Sequence, residues 1–245
     1  MRDSMARKLW GGMVVALLGS LALPAAEPPR AAKSHVREFD IFVDGSKVGT
    51  SRLAVAEHPD GRTVATTDAN IKITVLFYTY THRYRGSESW QAGQPRKIEG
   101  RTNAGTDVLT VKAVTEASNT LLTVAEEPQR TVPALHSTTS FWCWPASLDK
   151  VRSLHLLNVD KGETLIAACE KIGDEQILVG TRTINCTHYK LTGGTETELW
   201  FDTDRHLVQK KSLEEGHRAE LRLQSITRIE APPTMTAAKD VVPKQ

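Results

Sequence analysis

From residue 36 onward the chain alternates apolar and polar positions. Across residues 36–43, Arg37, Phe39, Ile41 and Val43 form one set, and Val36, Glu38, Asp40 and Phe42 the other. A strand sends successive side chains to opposite faces, so the first, mostly apolar set is expected to face a core. Asp44-Gly45 supplies a tight turn, and residues 48–55 return as the second arm of a hairpin. His58-Pro59-Asp60-Gly61 marks the next turn. Residues 62–75 make a long extended run without a breaker. Residues 98–103 and 108–114 read as a hairpin around Ala104-Gly105, and residues 121–125 as a short strand.

The rhythm then breaks. Residues 126–139 hold Pro128 and Pro133 and show no period, which predicts a loop or a topological crossing. Residues 146–156 place Leu148, Val151, Leu154 and His155 near helical spacing and predict one short helix. The last third returns to strands over 164–171, 176–181, 182–191, 195–202, 207–214 and 218–229. Gly173-Asp174, Gly193-Gly194, residues 202–204 and Glu215-Gly216 separate them. The pattern predicts a mainly β fold: a single antiparallel curved sheet, a half-barrel or open barrel of about ten strands, with at most one or two short helices. The expected division is an export signal over 1–26, a flexible segment over 27–34, the β domain over 35–229 and a disordered Pro- and Ala-rich tail over 230–245.

The export signal rests on three features. Arg2, Arg7 and Lys8 precede a charge-free run over residues 9–23, and Pro24-Ala25-Ala26 follows. The run is short and Gly-containing beside the roughly 20 apolar residues of a membrane span. Ala26 and Ala22 are the competing cleavage positions. The signal also changes the charge picture. It holds three of the 31 basic and one of the 29 acidic residues, leaving 28 of each. A neutral mature chain with interspersed charges gives no reason to expect nucleic acid or an anionic membrane surface as partner. The expected location is periplasmic or secreted, with no transmembrane segment in the mature chain.

Export makes a disulfide plausible among Cys143, Cys169 and Cys186. Cys169 and Cys186 fall in neighbouring strands. Bridging them would stabilise the fold by roughly 3 kcal/mol. Cys143, between Phe141-Trp142 and Trp144-Pro145, reads as a small buried hydrophobe.

Candidate chemistry is sparse. The eight histidines form none of the close pairs usual in zinc or iron sites, so no metal and no cofactor is expected. No Gly-x-Ser-x-Gly elbow or Gly-rich phosphate loop is present, and no catalytic residue is assigned. The distinctive feature is an aromatic ladder. In an extended strand, Tyr78, Tyr80, His82 and Tyr84 share one face, apolar in its rings and polar at its tips. Such a face suits a cleft for an amphipathic ligand; it equally suits ordinary packing with hydroxyls at the surface. Trp142 and Trp144 are candidates for the same wall.

Five segments carry a resemblance: Phe39-Asp40-Ile41-Phe42-Val43-Asp44-Gly45, Val48-Gly49, Glu198-Leu199-Trp200-Phe201-Asp202, Leu207-Val208-Gln209-Lys210-Lys211 and Ala219-Glu220-Leu221-Arg222-Leu223. Over residues 35–229 the chain resembles an uncharacterised family of exported bacterial β-rich proteins of unknown function. Its strand order is also similar to the periplasmic lipoprotein carriers (LolA/LolB-like half-barrels), a likeness of fold. The expectation is a non-enzymatic module for a hydrophobic or amphipathic small molecule or lipid. The alternatives are an envelope interaction or scaffold protein with a protein partner, and an enzyme with an unrecognised site.

Overall fold

The computed structural model describes residues 33–75 and 78–230. The expected export signal over 1–26, the expected flexible segment up to residue 32 and the expected tail from residue 231 lie outside them. Among the described residues the alternating runs become fifteen strands in one open sheet. The first half of the chain supplies β1 (Lys33–Val43), β2 (Ser46–Glu57), β3 (Arg62–Val75), β4 (Tyr78–Gln91), β5 (Gln94–Ala104), β6 (Asp107–Glu116), β7 (Asn119–Val124) and β8 (Arg130–Pro133). The second half supplies β9 (Ser137–Thr138), β10 (Ser153–Asn158), β11 (Glu163–Val179), β12 (Arg182–Gly193), β13 (Thr197–Asp202), β14 (Leu207–Glu214) and β15 (His217–Glu230).

Each half is an antiparallel meander, apart from a short parallel pairing of β9 with β10. The halves join where β1 pairs with β15, in register from Lys33 opposite Glu230 to Val43 opposite Ala219. The sheet thus begins and ends slightly outside residues 35–229. Its two edges, β8 and β9, are consecutive in sequence. Ala134 bonds back to Ser118 O at 3.0 Å and His136 to His155 O at 2.8 Å. The chain therefore crosses from one edge to the other within three residues, and no ladder joins β8 to β9. The period-free stretch over 126–139 is this crossing.

Turn chemistry explains the hairpins. Asp44 and Gly45 both take positive φ, 47° and 81°, which sets the twist between β1 and β2. The expected break at Gly173-Asp174 is different. β11 runs through it to Val179, and Gly173 sits at a register slip opposite His188. The extra residue is absorbed as a bulge because the flanking positions can still pair with β12. The helix expected over 146–156 is also corrected. Only Ala146–Lys150 turns, as a short 3-10 segment anchored by buried Leu148. From Ser153 the chain is extended in β10, with Leu154 and Leu156 on its core face. Local spacing suited a helix, but burying two leucines of a strand against the sheet wins. Each such burial is worth about 1.5–3 kcal/mol.

The inward face carries the core. Phe39, Leu53, Val55, Ala65, Leu154, Leu156, Leu191, Leu199 and Leu207 belong to one buried cluster, which also holds Phe141, Trp142 and Trp144. A second cluster sets Ile98, Val111, Leu122 and Val124 of the first half against Leu157 and Val159 of the second. The curled sheet thus packs its two halves against each other and fills the space between them. Arg37, on the core face of β1, is only 3% exposed. Asp202 at the end of β13 neutralises it at 2.5 Å, and Leu207 O accepts its second guanidinium nitrogen at 3.0 Å.

The three cysteines are free. The bridge expected between Cys169 and Cys186 is not formed. Register explains why: Cys169 lies opposite Leu191 and Cys186 opposite Glu175. Five residues of strand between positions 186 and 191 put the thiols about 17 Å apart along the hairpin, far beyond disulfide reach. The two cysteines do lie on adjacent strands, but cross-strand register keeps them apart.

Candidate functional site

The aromatic ladder lies on β4, and its inward face is longer than expected. Tyr84, Gly86, Glu88 and Trp90 are buried, while Thr81, Arg83 and Arg85 are exposed. The period of two that suggested the ladder continues unbroken to Trp90. Tyr78 opens the strand, and its side chain lies outside the described residues. Tyr80 is 36% exposed. His82 is half-buried, with Nε2 3.6 Å from Asp160 Oδ1. The Asp160 carboxylate beside it raises its pKa against the opposing effect of burial. Tyr84 lies over the Gly86–Gly100 cross-strand pair. A Cβ on Gly86 would fall 2.0 Å from Tyr84 Oη, so the ring occupies the space that the two glycines leave. Burial pushes the Tyr84 hydroxyl pKa up, and Oη has no hydrogen-bond partner among the described residues. The ladder is therefore surface at Tyr80 and packed core at Tyr84.

Glu88 is the residue that sequence reasoning missed. It is 3% exposed, and its two carboxylate oxygens each accept from Thr138 Oγ1 at 3.0 Å. Trp90 Nε1 donates to Oε2, also at 3.0 Å. Ser140 Oγ lies 2.7 Å from Thr138 Oγ1. Burial nevertheless dominates and raises the Glu88 pKa. The Trp142 indole N–H is near enough to favour the charged carboxylate, yet makes no hydrogen bond of ordinary geometry. The bonds to Thr138 tie β4 to the segment that leads into residues 141–145.

That segment closes one end of the sheet. Trp142 O accepts from Leu207 N–H at 3.1 Å, Trp144 N–H donates to Arg205 O at 2.8 Å, and Cys143 pairs with His206. It brings Trp142 edge-to-face onto Trp90, centroids 5.4 Å apart, and stacks Trp144 on Tyr189 at 4.3 Å. Behind Trp142, His206 and His35 meet edge-on at 4.5 Å. Burial, with Arg37 adding to it, lowers the His206 pKa to about 4, so this ring is neutral at pH 7.

A cleft of about 240 Å³ opens here. Its walls include Trp90, Trp142 and Trp144, with Cys143 and His206 beside them and Glu57 at the edge. The structure brings Trp142 and Trp144 together at this cleft. It places Tyr80 and His82 toward the other end of β4, so the six residues expected from sequence do not form one wall. The Cys143 thiol is held well above its usual pKa by burial, with the Glu88 charge adding to the effect. It is a protonated packing group, not an activated nucleophile. Among the described residues no group of three His, Cys, Asp or Glu side chains is arranged to hold a metal ion.

A family profile for a domain of unknown function, DUF6134, matches residues 39–224. The chain belongs to the DUF6134 family. Among curated proteins, none matches it in sequence. The DUF6134 fold is similar to a β-barrel-like protein of the domain of unknown function DUF1849 from Brucella abortus. The TM-score is 0.61 at 6% identity, covering 82% of this chain and 100% of that one. A putative outer membrane lipoprotein-sorting protein domain from Vibrio parahaemolyticus also aligns, over 86% of this chain and 89% of its own. Its TM-score is 0.24 and its identity 8%, too distant to support an argument. The expected membership of a family of unknown function and the open half-barrel are both borne out. Among the described residues of the DUF6134 chain, no helix is long and apolar enough to cross a membrane.

Proposed function

We propose that this protein is an exported, non-enzymatic binding module that takes the apolar part of a hydrophobic or amphipathic small molecule or lipid in the tryptophan cleft. One observation supports the reading above the others: three tryptophans, from β4 and from the closing segment, meet at one opening of about 240 Å³. The indoles offer apolar ring edges to this opening, while their N–H groups are turned inward, that of Trp90 onto Glu88, so the cleft suits the apolar part of a guest. Buried apolar side chains of both sheet halves pack between them. The guest therefore inserts a short apolar group at the cleft and does not thread the sheet.

The test is lipid extraction of the native protein purified from its envelope, with a fluorescent fatty-acid probe on the purified chain. Probe binding should quench tryptophan emission, and Trp142→Phe should weaken it, while Tyr80→Ala reports whether the far end of the ladder contributes. Lipid content no greater than an unrelated exported control, together with no probe binding, would sink the proposal.

A second reading, an envelope scaffold with a protein partner, has its own support. β10 pairs with β11 only as far as Ala168. Among the described residues, 170–179 therefore form a free edge, and Leu178 on it is 71% exposed. Free edges accept strands from partners. In-cell crosslinking from position 178 separates the readings: a single specific protein adduct favours the scaffold.

A further inference from the structure

We infer that the outward face of β3–β5 is a binding site for a phosphate-type oxyanion. It is distinct from the tryptophan cleft, lying toward the other end of β4 and on the opposite face of that strand. Thr81 is nine residues from Trp90, about 30 Å along an extended chain.

Cross-strand register assembles the site. Asn70 lies opposite Arg83, and Arg83 opposite Asn103; Asp68 lies opposite Arg85, and Arg85 opposite Arg101. Lys72 and Thr81 form the adjoining pair. A groove of about 560 Å³ runs over this face, with Thr50, Asn70, Lys72, Thr81, Arg83 and Asn103 in its lining. Arg83 and Arg85 share one carboxylate there, that of Asp68. Its Oδ2 accepts from Arg85 Nε at 2.8 Å and Arg83 Nη2 at 3.3 Å, and its Oδ1 from Asn70 Nδ2 at 3.0 Å. Arg101 donates through Nε to Asn103 Oδ1 at 3.4 Å. Neither Arg101 nor Lys72 makes an ion pair among the described residues.

Two features separate this patch from an ordinary solvated surface. Arg85 and Arg101 are direct cross-strand partners, an arrangement that destabilises a sheet and that the fold does not require. The local surplus of positive charge also stands out in a chain whose 31 basic and 29 acidic residues nearly balance as a whole. Asp68 pins two guanidiniums side by side while leaving further N–H groups of each unused. Planar N–H forks beside amide and hydroxyl donors match the oxygens of a phosphoryl group. Such a group reaches the face either as a free phosphate compound or as an anionic lipid headgroup.

The experiment uses the full mature chain in two arms. Calorimetric titration with inorganic phosphate and pyrophosphate tests the free anion. Flotation with phosphatidylcholine vesicles, with and without phosphatidylglycerol, tests the headgroup. Arg83→Gln and Arg101→Gln are exposed changes, and unchanged thermal unfolding verifies that each variant folds. Binding in either arm, weakened about tenfold by each variant as expected for losing a charge-assisted contact, supports the site. The arm that responds identifies the source. No binding in both arms, or binding that both variants leave intact, overturns it.

Discussion

Replacing Glu88 by glutamine tests the energetic reading of the core most directly. Glu88 is buried among Trp90, Thr138 and Trp142, and its carboxyl pKa is raised chiefly by desolvation. In the unfolded chain a glutamate titrates near pH 4.3. Because the folded value lies above the unfolded one, the native state holds the proton longer. The stabilising contribution is complete below about pH 4.3 and is lost as pH rises through the folded pKa. Within that window the loss amounts to at most about 1.4 kcal/mol per pH unit, the value for one proton. The glutamine side chain keeps the volume and can still accept from Trp90 and Thr138, but it does not ionise. The assay is urea unfolding followed by tryptophan emission, on wild type and Glu88→Gln, from about pH 4 to about pH 8. Subtracting the two profiles cancels the groups they share. At the acid end the difference should be small, within about 1 kcal/mol for the altered hydrogen bonds. It should then turn steadily in favour of the variant as pH rises. A difference that stays constant across the range would refute the claim that desolvation outweighs the hydrogen bonds at Glu88.

Three further outcomes follow from the geometry. Asp202→Ala, which strands the buried Arg37 guanidinium, should cost about 3–5 kcal/mol in urea unfolding, whereas Arg37→Met combined with Asp202→Leu should cost much less. Gly162 and Gly105 both have positive φ, 70° and 60°, but a Cβ on Gly162 would sit 2.5 Å from Val124 Cγ2 while Gly105 faces open space. Gly162→Ala should therefore lose about 3 kcal/mol and Gly105→Ala about 1 kcal/mol, measured by the same unfolding assay. Alkylation without reductant should modify Cys143, Cys169 and Cys186 once the chain is denatured, and mass mapping should find no 169–186 bridge; native Cys143 should react slowly because its thiol, though the residue is only partly buried, is held protonated.

Much was legible before any coordinates. Period-two alternation fixed strand identity and faces, because a strand's side chains must point alternately and an apolar set must find a core. It placed Phe39 and Ile41 inside, and set Tyr84 on the same face as Tyr80 and His82. Turn residues such as Asp44-Gly45 located hairpins because few residues tolerate positive φ. Followed further along β4, the same period reaches Glu88 and Trp90. That was a signal present but unread.

What the sequence could not determine was register and closure. These depend on which distant strands meet, and no local pattern encodes that. Register kept Cys169 from Cys186. Closure set Asp202 against Arg37, brought Thr138 onto Glu88 and folded residues 141–145 across the sheet end, so that Trp142 and Trp144 met Trp90. Register also gathered Lys72, Arg83, Arg85 and Arg101 onto one face, although along the chain their charges look dispersed. The alternation of residues thus determined a curved β-sheet with an apolar inside. Only the pairing of strands decided where its aromatic cleft and its basic face would lie, because both are built from residues whose proximity comes from cross-strand hydrogen bonds and long-range packing.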